Sequence, residues 1–287
     1  MSADNQKSPL AGRTILMSGG SRGIGHAIAT RAARDGANIV LLAKTDAPDS
    51  RLPGTVHTAV ADIEAAGGNG LAVVGDIRRE EDATRAVESA VETFGRIDVV
   101  LNNASAIALE PIGTLPLKRY DLMLNVNARG TFVLVSAALQ HLYESDNPHV
   151  LTLSPPLDPD PVWLHRHAPY TLSKYAMTML TLGLAGQDHP KPLAANCLWP
   201  RTTIATAAVR NIVGGDAAMA VSRRPEIMAD AAHAILSRKA SEYTGQCFLD
   251  EDVLRRVGTT DFSAYRYGDA DEADLKPDLF LPGGEHA

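Results

Sequence analysis

Few of the features that mark a nucleic-acid, metal or membrane protein occur in this sequence. The chain has 287 residues and a formal net charge of −7. It holds no long basic run of the kind that follows a phosphate backbone. Its two cysteines, Cys197 and Cys247, lie far apart in apolar runs and lack metal spacing. They read as free thiols in a reducing compartment. His165 and His167 have no partners at ligand spacing, so no metal is expected. No run of 18 or more apolar residues is present, so no membrane span is expected. The first ten residues have no apolar signal core, and the last four are not a peroxisomal address; a cytoplasmic protein is the expectation. Aromatics are scarce at 5%, yet hydrophobic residues reach 45%, enough for a sizeable core.

Apolar runs alternate with helical patterns. Strands are expected at 14–17, 38–43, 71–75, 97–101, 149–153, 194–199 and 246–249. Helices are expected at 24–34, 55–66, 80–94, 116–143 and 169–185, several ending at glycine. The strands are continuous rather than alternating in hydrophobicity, as strands covered on both faces should be. The pattern predicts an α/β fold: a doubly wound, seven-stranded parallel sheet of Rossmann type, as one domain over 10–250. The polar segment 251–287, with Pro277 and Pro282, is expected to lie over that domain or to be partly disordered.

Between the first strand and first helix stands S-G-G-S-R-G-I-G, with Gly19, Gly23 and Gly25. Glycines there permit a tight turn and close approach of backbone to a pyrophosphate at the helix N-terminus. An acidic residue after the second strand accepts the ribose hydroxyls of NAD. Lys44 occupies that place, and Arg22 sits in the glycine turn, so the 2′-phosphate of NADP is favoured. Asp46 and Asp49 follow closely, which leaves NAD open. Further on, Tyr170 and Lys174 stand at i and i+4 on one helix face. An ammonium beside a phenol favours phenolate, and a phenol so tuned exchanges a proton with a carbonyl oxygen.

In this order the parts resemble the short-chain dehydrogenase/reductase family: the glycine turn, Asp76, Asn102-Asn103-Ala104, Asn127 in N-A-R-G, then Tyr170 and Lys174. The stretches L-N-V-N-A-R-G-T-F, S-P-P-L-D-P-D-P-V-W and L-W-P-R-T are similar to the reductase part of its hydroxysteroid dehydrogenase-like protein 2 group. Some members of that group carry a C-terminal sterol-carrier domain, for which this chain is expected to be too short. The resemblance implies that Gly19, Ser21, Arg22 and Ile24 hold the phosphates. Asp76 and Ile77 flank the adenine, and Asn103 with Ala104 lines the cofactor channel. Tyr170 is the general acid or base. Lys174 binds the nicotinamide ribose and lowers the Tyr170 pKa, and Asn127 holds a relay water.

The pattern breaks twice. The family places a serine as the second of a Ser-Ser pair after strand five, and here the pair is Ser154-Pro155. Either Ser154 serves in a shifted loop, or another donor replaces it, or the polarising bond is missing. Losing one such donor costs roughly 10²–10³ in rate. The second break is Pro200-Arg201 in place of Pro-Gly. Arg201 either reaches a phosphate or acidic substrate group or points to solvent. Pro200, Thr202 and Thr206 are candidates near the nicotinamide. Apolar Leu157, Val162, Trp163 and Leu164, on a loop stiffened by Pro155 and its neighbours, indicate a greasy carbonyl or alcohol substrate or else local packing. Two functional readings follow: an NADP-dependent oxidoreductase, or an NADP-binding protein of low activity that serves as redox sensor, carrier or interaction partner. A homodimer or homotetramer through the helices at 116–143 and 169–185 is implied, and Met177 and Leu180 fit either that contact or core packing.

Overall fold

The structure is a computed structural model describing residues 8–48 and 54–284. Seven parallel strands are ordered β3-β2-β1-β4-β5-β6-β7. They are β1 Thr14–Ser18, β2 Asn38–Ala43, β3 Asn69–Val74, β4 Val99–Asn102, β5 His149–Thr152, β6 Ala194–Trp199 and β7 Cys247–Leu249. Side chains alternate across each strand, and the alternation divides the core in two. Ile15, Met17, Ile39 and Leu41 face one side with Ile28, Ile227 and Ile235. Leu16, Val40, Leu42 and Val100 face the other with Val87 and Leu134. Both faces are covered, which is why the strands read as unbroken apolar runs.

The helices on the first face are α1 Gly23–Ala33 and α2 Val56–Ala65. Thr55 caps α2, trading bonds with Thr58, which satisfies two orphan helix-start groups. The second face carries α3 Glu80–Phe94, α4 Leu117–Leu124 and α5 Gly130–Glu144. The sequence pattern predicts one continuous helix over 116–143. Instead a π-helical turn, Asn125–Arg129, separates α4 from α5. Such a turn adds a residue to the repeat and redirects side chains at that point, commonly at functional sites. This combined segment is long and apolar enough to cross a membrane by composition, but Val133, Leu134, Ala138 and Leu142 pack into the core.

Beyond β5 come α6 Val162–His165 and α7 Ala168–Ala185; beyond β6, α8 Gly215–Ala220, α9 Glu226–Leu236 and α10 Asp250–Arg256. The pattern reading assigns no helix to 215–220, 226–236 or 250–256. Cys197 and Cys247, far apart in sequence, are register partners on β6 and β7, and both are free thiols.

The chain after α10 is anchored by buried Arg223, whose Nη2 lies 2.8 Å from Glu251 Oε1 and 2.6 Å from Glu272 Oε2. It then returns across the carboxyl end of the sheet. Pro277 bridges to Thr202, and Leu279, Phe280 and Leu281 bury against Trp163, Tyr170 and Trp199.

Candidate active site

The chain winds outward from β1 to β3 and restarts at β4 on the other side of β1, so a crevice opens at the carboxyl ends of β1 and β4. A groove of about 610 Å³ lies there, with Gly19, Ser21, Arg22, Gly23 and Ile24 on one wall and Asp76, Ile77, Asn103 and Ala104 on the other. The Asn103 side chain explains two of the glycines. Its amide donates to Ser18 O at 3.0 Å, and a Cβ on Gly19 or Gly25 would stand 2.6 or 2.5 Å from Asn103 Nδ2. Gly19 also adopts a φ of +79°, open chiefly to glycine. The Ser18 hydroxyl accepts from the Asn103 and Ala104 N–H groups at 3.2 and 3.1 Å, a tie between β1 and β4 that the motif reading missed. Gly25→Ala is expected to cost about 1–3 kcal/mol by overpacking, measured by urea unfolding. The cost should largely vanish in an Asn103→Ala background, because the clash is with that side chain.

Among the described residues no side chain caps α1, so its first N–H groups suit an anion. Glycine turn, bare helix start and long groove together fit a dinucleotide. At the end of β2, Lys44 is largely exposed, its Nζ 3.7 Å from Asp76 Oδ2. Asp76 is held below the usual carboxylate range, first by the hydrogen bonds from the Arg78 side chain. Arg22 Nη2 donates to Gly54 O at 2.8 Å and to Thr45 Oγ1 at 3.3 Å. Asp46 is paired with His57 at 2.7 Å. Asp49 lies outside the described residues.

A smaller cavity of about 190 Å³ adjoins the groove, sharing Ile24, Asn103, Ser105 and Thr206 with it. Tyr170 and Lys174 line it together with Pro200, Trp199 and Asp278. The helical spacing therefore does bring phenol and ammonium to one cavity. The expected tuning, however, runs the other way. Lys174 Nζ donates to Leu153 O at 2.6 Å and lies 5.0 Å from the Trp199 ring. Burial pushes the Tyr170 phenol above its ordinary value, and Asp278 pushes it further. Burial likewise brings Lys174 down to about 7, against the opposing pull of Cys197 and Asp278. Desolvation disfavours both charged forms and is the largest cause of each shift.

Asn127, in the π turn, is fully buried. Its amide donates to Ala106 O and Ser173 Oγ, both at 2.9 Å, and its oxygen accepts from Ala106 N. It thus grips α7 at the residue preceding Lys174. Ser154 is buried with its hydroxyl unpartnered, and it is not among the residues lining the cavity. Thr202 is also absent from the cavity wall; its hydroxyl is buried without a partner while its backbone bridges to Pro277. Thr203 and Thr206 line the cavity instead. Arg201 takes neither expected course: Nη2 pairs with Asp252 at 2.6 Å, with Glu251 at 3.8 Å from Nε. Acidic residues at the start of α10 capture it before it can reach a phosphate.

The substrate loop is placed differently too. Pro155 accepts from Thr178 Oγ1, Leu157 is exposed, and Trp163 is buried with its indole N–H on Asp158. None of the three lines the cavity. The apolar wall comes from Trp199, Val209, Val213, Met228 and Leu279. Phe280 backs it, its ring 5.4–6.0 Å from those of Tyr175, Trp163, Trp199 and Tyr170. On the outer face, Met177 of α7 is buried, while Leu180 and Met179 are exposed with Phe132 of α5.

The family model for short chain dehydrogenases matches residues 13–216. The chain is 48% identical over 274 residues to hydroxysteroid dehydrogenase-like protein 2 of Danio rerio, across 96% of this chain and 65% of that protein. It thus spans a little under two-thirds of that relative's length. A crystallised short chain dehydrogenase of Mycobacterium thermoresistibile is 50% identical with a TM-score of 0.89, over 96% of this chain and 97% of its own. A crystallised Xanthomonas campestris protein is 51% identical with a TM-score of 0.91, over 95% and 98%.

Proposed function

The chain belongs to the short-chain dehydrogenase family, and from that premise we propose that it is an NADP(H)-dependent reductase of an apolar carbonyl compound, with Tyr170 as the proton donor. One observation carries the reading: Tyr170 and Lys174 line a small, mostly apolar cavity adjoining the dinucleotide groove. When bound, the nicotinamide supplies the hydride. Ser21, Arg22 and the α1 N-terminus hold the phosphates, and Lys44 with Arg22 takes the 2′-phosphate. Tyr170 gives its proton to the substrate oxygen. Tyr170, its pKa raised by burial, carries its proton at neutral pH and is in the form a proton donor needs. Lys174, whose Nζ is held on Leu153 O, would bind the nicotinamide ribose, and Asn127 fixes α7 at Ser173 beside it. The exposed Phe132, Met179 and Leu180 make the α5/α7 face the contact of a homo-oligomer.

Titration with NADPH and NADH, followed by turnover on medium- and long-chain aldehydes and ketones, tests the reading. Lys44→Asp is expected to weaken NADPH roughly 10–100-fold, about one or two steps of 1.4 kcal/mol, while NADH binding changes little. Equal affinity of the wild type for both cofactors would count against the assignment of Lys44.

A second reading, a nucleotide-binding protein of low activity, draws on the position of Ser154, whose hydroxyl does not line the cavity. Tight NADPH binding without turnover on any of those carbonyls would favour it.

A further inference from the structure

We propose that Asp278, brought in by the C-terminal segment, binds the substrate's carbonyl oxygen beside Tyr170, in the role that Ser154 does not fill. The inference rests on the reductase reading above and names the group that completes its site.

Four observations lead to it. Asp278 lines the cavity that Tyr170 and Lys174 line, and Ser154 does not. The residue is fixed: the Asp278 backbone N–H donates to Arg201 O at 3.1 Å, and the carboxyl Oδ1 accepts from Leu279 N at 2.7 Å. Leu279 O in turn accepts from Trp199 Nε1 at 2.9 Å. Among the described residues no hydrogen bond occupies Oδ2, which is left for a ligand. The segment itself is clamped on both sides, by Thr203 N to Lys276 O at 2.9 Å and by Phe280 in its aromatic cage.

The groups facing Asp278 are Lys174 and Tyr170 from α7 and Asp250 from the start of α10. Burial and Asp250 raise the Asp278 carboxyl to about 7, with Leu279 N–H and Lys174 pulling the other way. A carboxylic acid kept neutral by an apolar site is a hydrogen-bond donor. As the carbonyl carbon takes the hydride and its oxygen takes the Tyr170 proton, Asp278 donates a hydrogen bond to that oxygen. The products are an alcohol and a Tyr170 phenolate; the phenolate regains a proton from Asp278, the stronger acid, and solvent reprotonates the carboxylate.

The test uses the full chain with Asp278→Asn and Asp278→Ala, and 2-decanone as probe. Two signals are read from pH 5.5 to 9: kcat/KM with NADPH, and dead-end binding of 2-decanone to the NADP⁺-saturated protein. The latter is followed by fluorescence of Trp163 and Trp199, the only two tryptophans. In the wild type both signals should fall about tenfold per pH unit above the carboxyl's pKa of about 7. Asp278→Ala should lose roughly 10²–10³ in kcat/KM at pH 6 with NADPH affinity unchanged. Asp278→Asn, whose amide donates at every pH, should restore most of that loss and abolish the alkaline fall. A fall caused by Lys174 would behave differently. Asp278 raises the Lys174 pKa, so the fall would persist in Asp278→Asn and move to lower pH.

Persistence of the fall in Asp278→Asn overturns the proposal. So does wild-type kcat/KM in Asp278→Ala, or failure of 2-decanone to bind at any pH. If 2-decanone binds in an Asp278-dependent way but is never reduced, the inference stands and the reductase reading falls. If it is reduced without regard to Asp278, the reverse holds.

Discussion

Tyr170→Phe is expected to lower carbonyl reduction by roughly 10²–10⁴-fold, the usual contribution of one positioned general acid. NADPH affinity should stay within about threefold, a difference under 1 kcal/mol. The substitution isolates the proton because it changes little else. Tyr170 lines the cavity, and no hydrogen bond within the described residues holds its hydroxyl. The ring lies 6.0 Å from that of Phe280, tilted by 31°, and a phenylalanine ring fills the same space. Urea unfolding of the variant should therefore match the wild type. Loss of turnover with stability and NADPH binding intact assigns the proton to Tyr170. Retention of turnover within a factor of three would leave the cavity without its acid and sink the reductase reading. The experiment should be run near neutral pH, where Lys174, brought to about 7 by burial, is itself partly deprotonated. A steeper pH dependence in the wild type than in Tyr170→Phe would then report coupling between the two groups.

Much of the architecture was legible because it rests on local rules. The runs at 38–43 and 194–199 coincide with β2 and β6, since continuous apolar strands bounded by turn residues leave few alternatives. The glycine turn announced the groove for the same reason: Gly19 and Gly25 have no room for a Cβ beside Asn103. What escaped was set by contacts distant in sequence. The π turn at Asn125–Arg129 leaves the apolar pattern of its helix unchanged, so no periodicity marks it. The tuning of Tyr170 and Lys174 was misjudged because spacing reports adjacency and not burial; both lie under a segment about a hundred positions downstream, which removes water from each charge. Arg201 was drawn to Asp252 and Glu251, partners fifty residues away. Asp278 was invisible for the same reason. In a stretch read only as polar and irregular, nothing local distinguishes a carboxylate that faces a cavity from one that faces solvent.

Phe280→Ala tests whether that returning segment is a separable part of the fold. The Phe280 backbone sits at φ +68°, a left-handed conformation costing a side-chain-bearing residue roughly 1–2 kcal/mol. The ring outweighs that cost by filling the space among four aromatic rings, and truncating a buried Phe to Ala removes about 3–5 kcal/mol. Alanine keeps the backbone strain and loses the packing, so the balance reverses locally. The expected result is detachment of 277–284 rather than global unfolding, because the sheet core on β1 to β5 does not include these residues. Hydrogen exchange should accelerate in 277–284 and remain slow in β1, β4 and β5. Tyr170 should also lose the burial that is the first cause of its raised pKa. Reduction should fall as it does in Asp278→Ala, since the carboxyl leaves with the segment. Phe280→Gly should be more stable than Phe280→Ala by about 1 kcal/mol, because glycine relieves the strain. Uniformly faster exchange throughout the sheet would show instead that the segment folds as one cooperative unit with the core, and that its hold over Tyr170 is permanent rather than detachable.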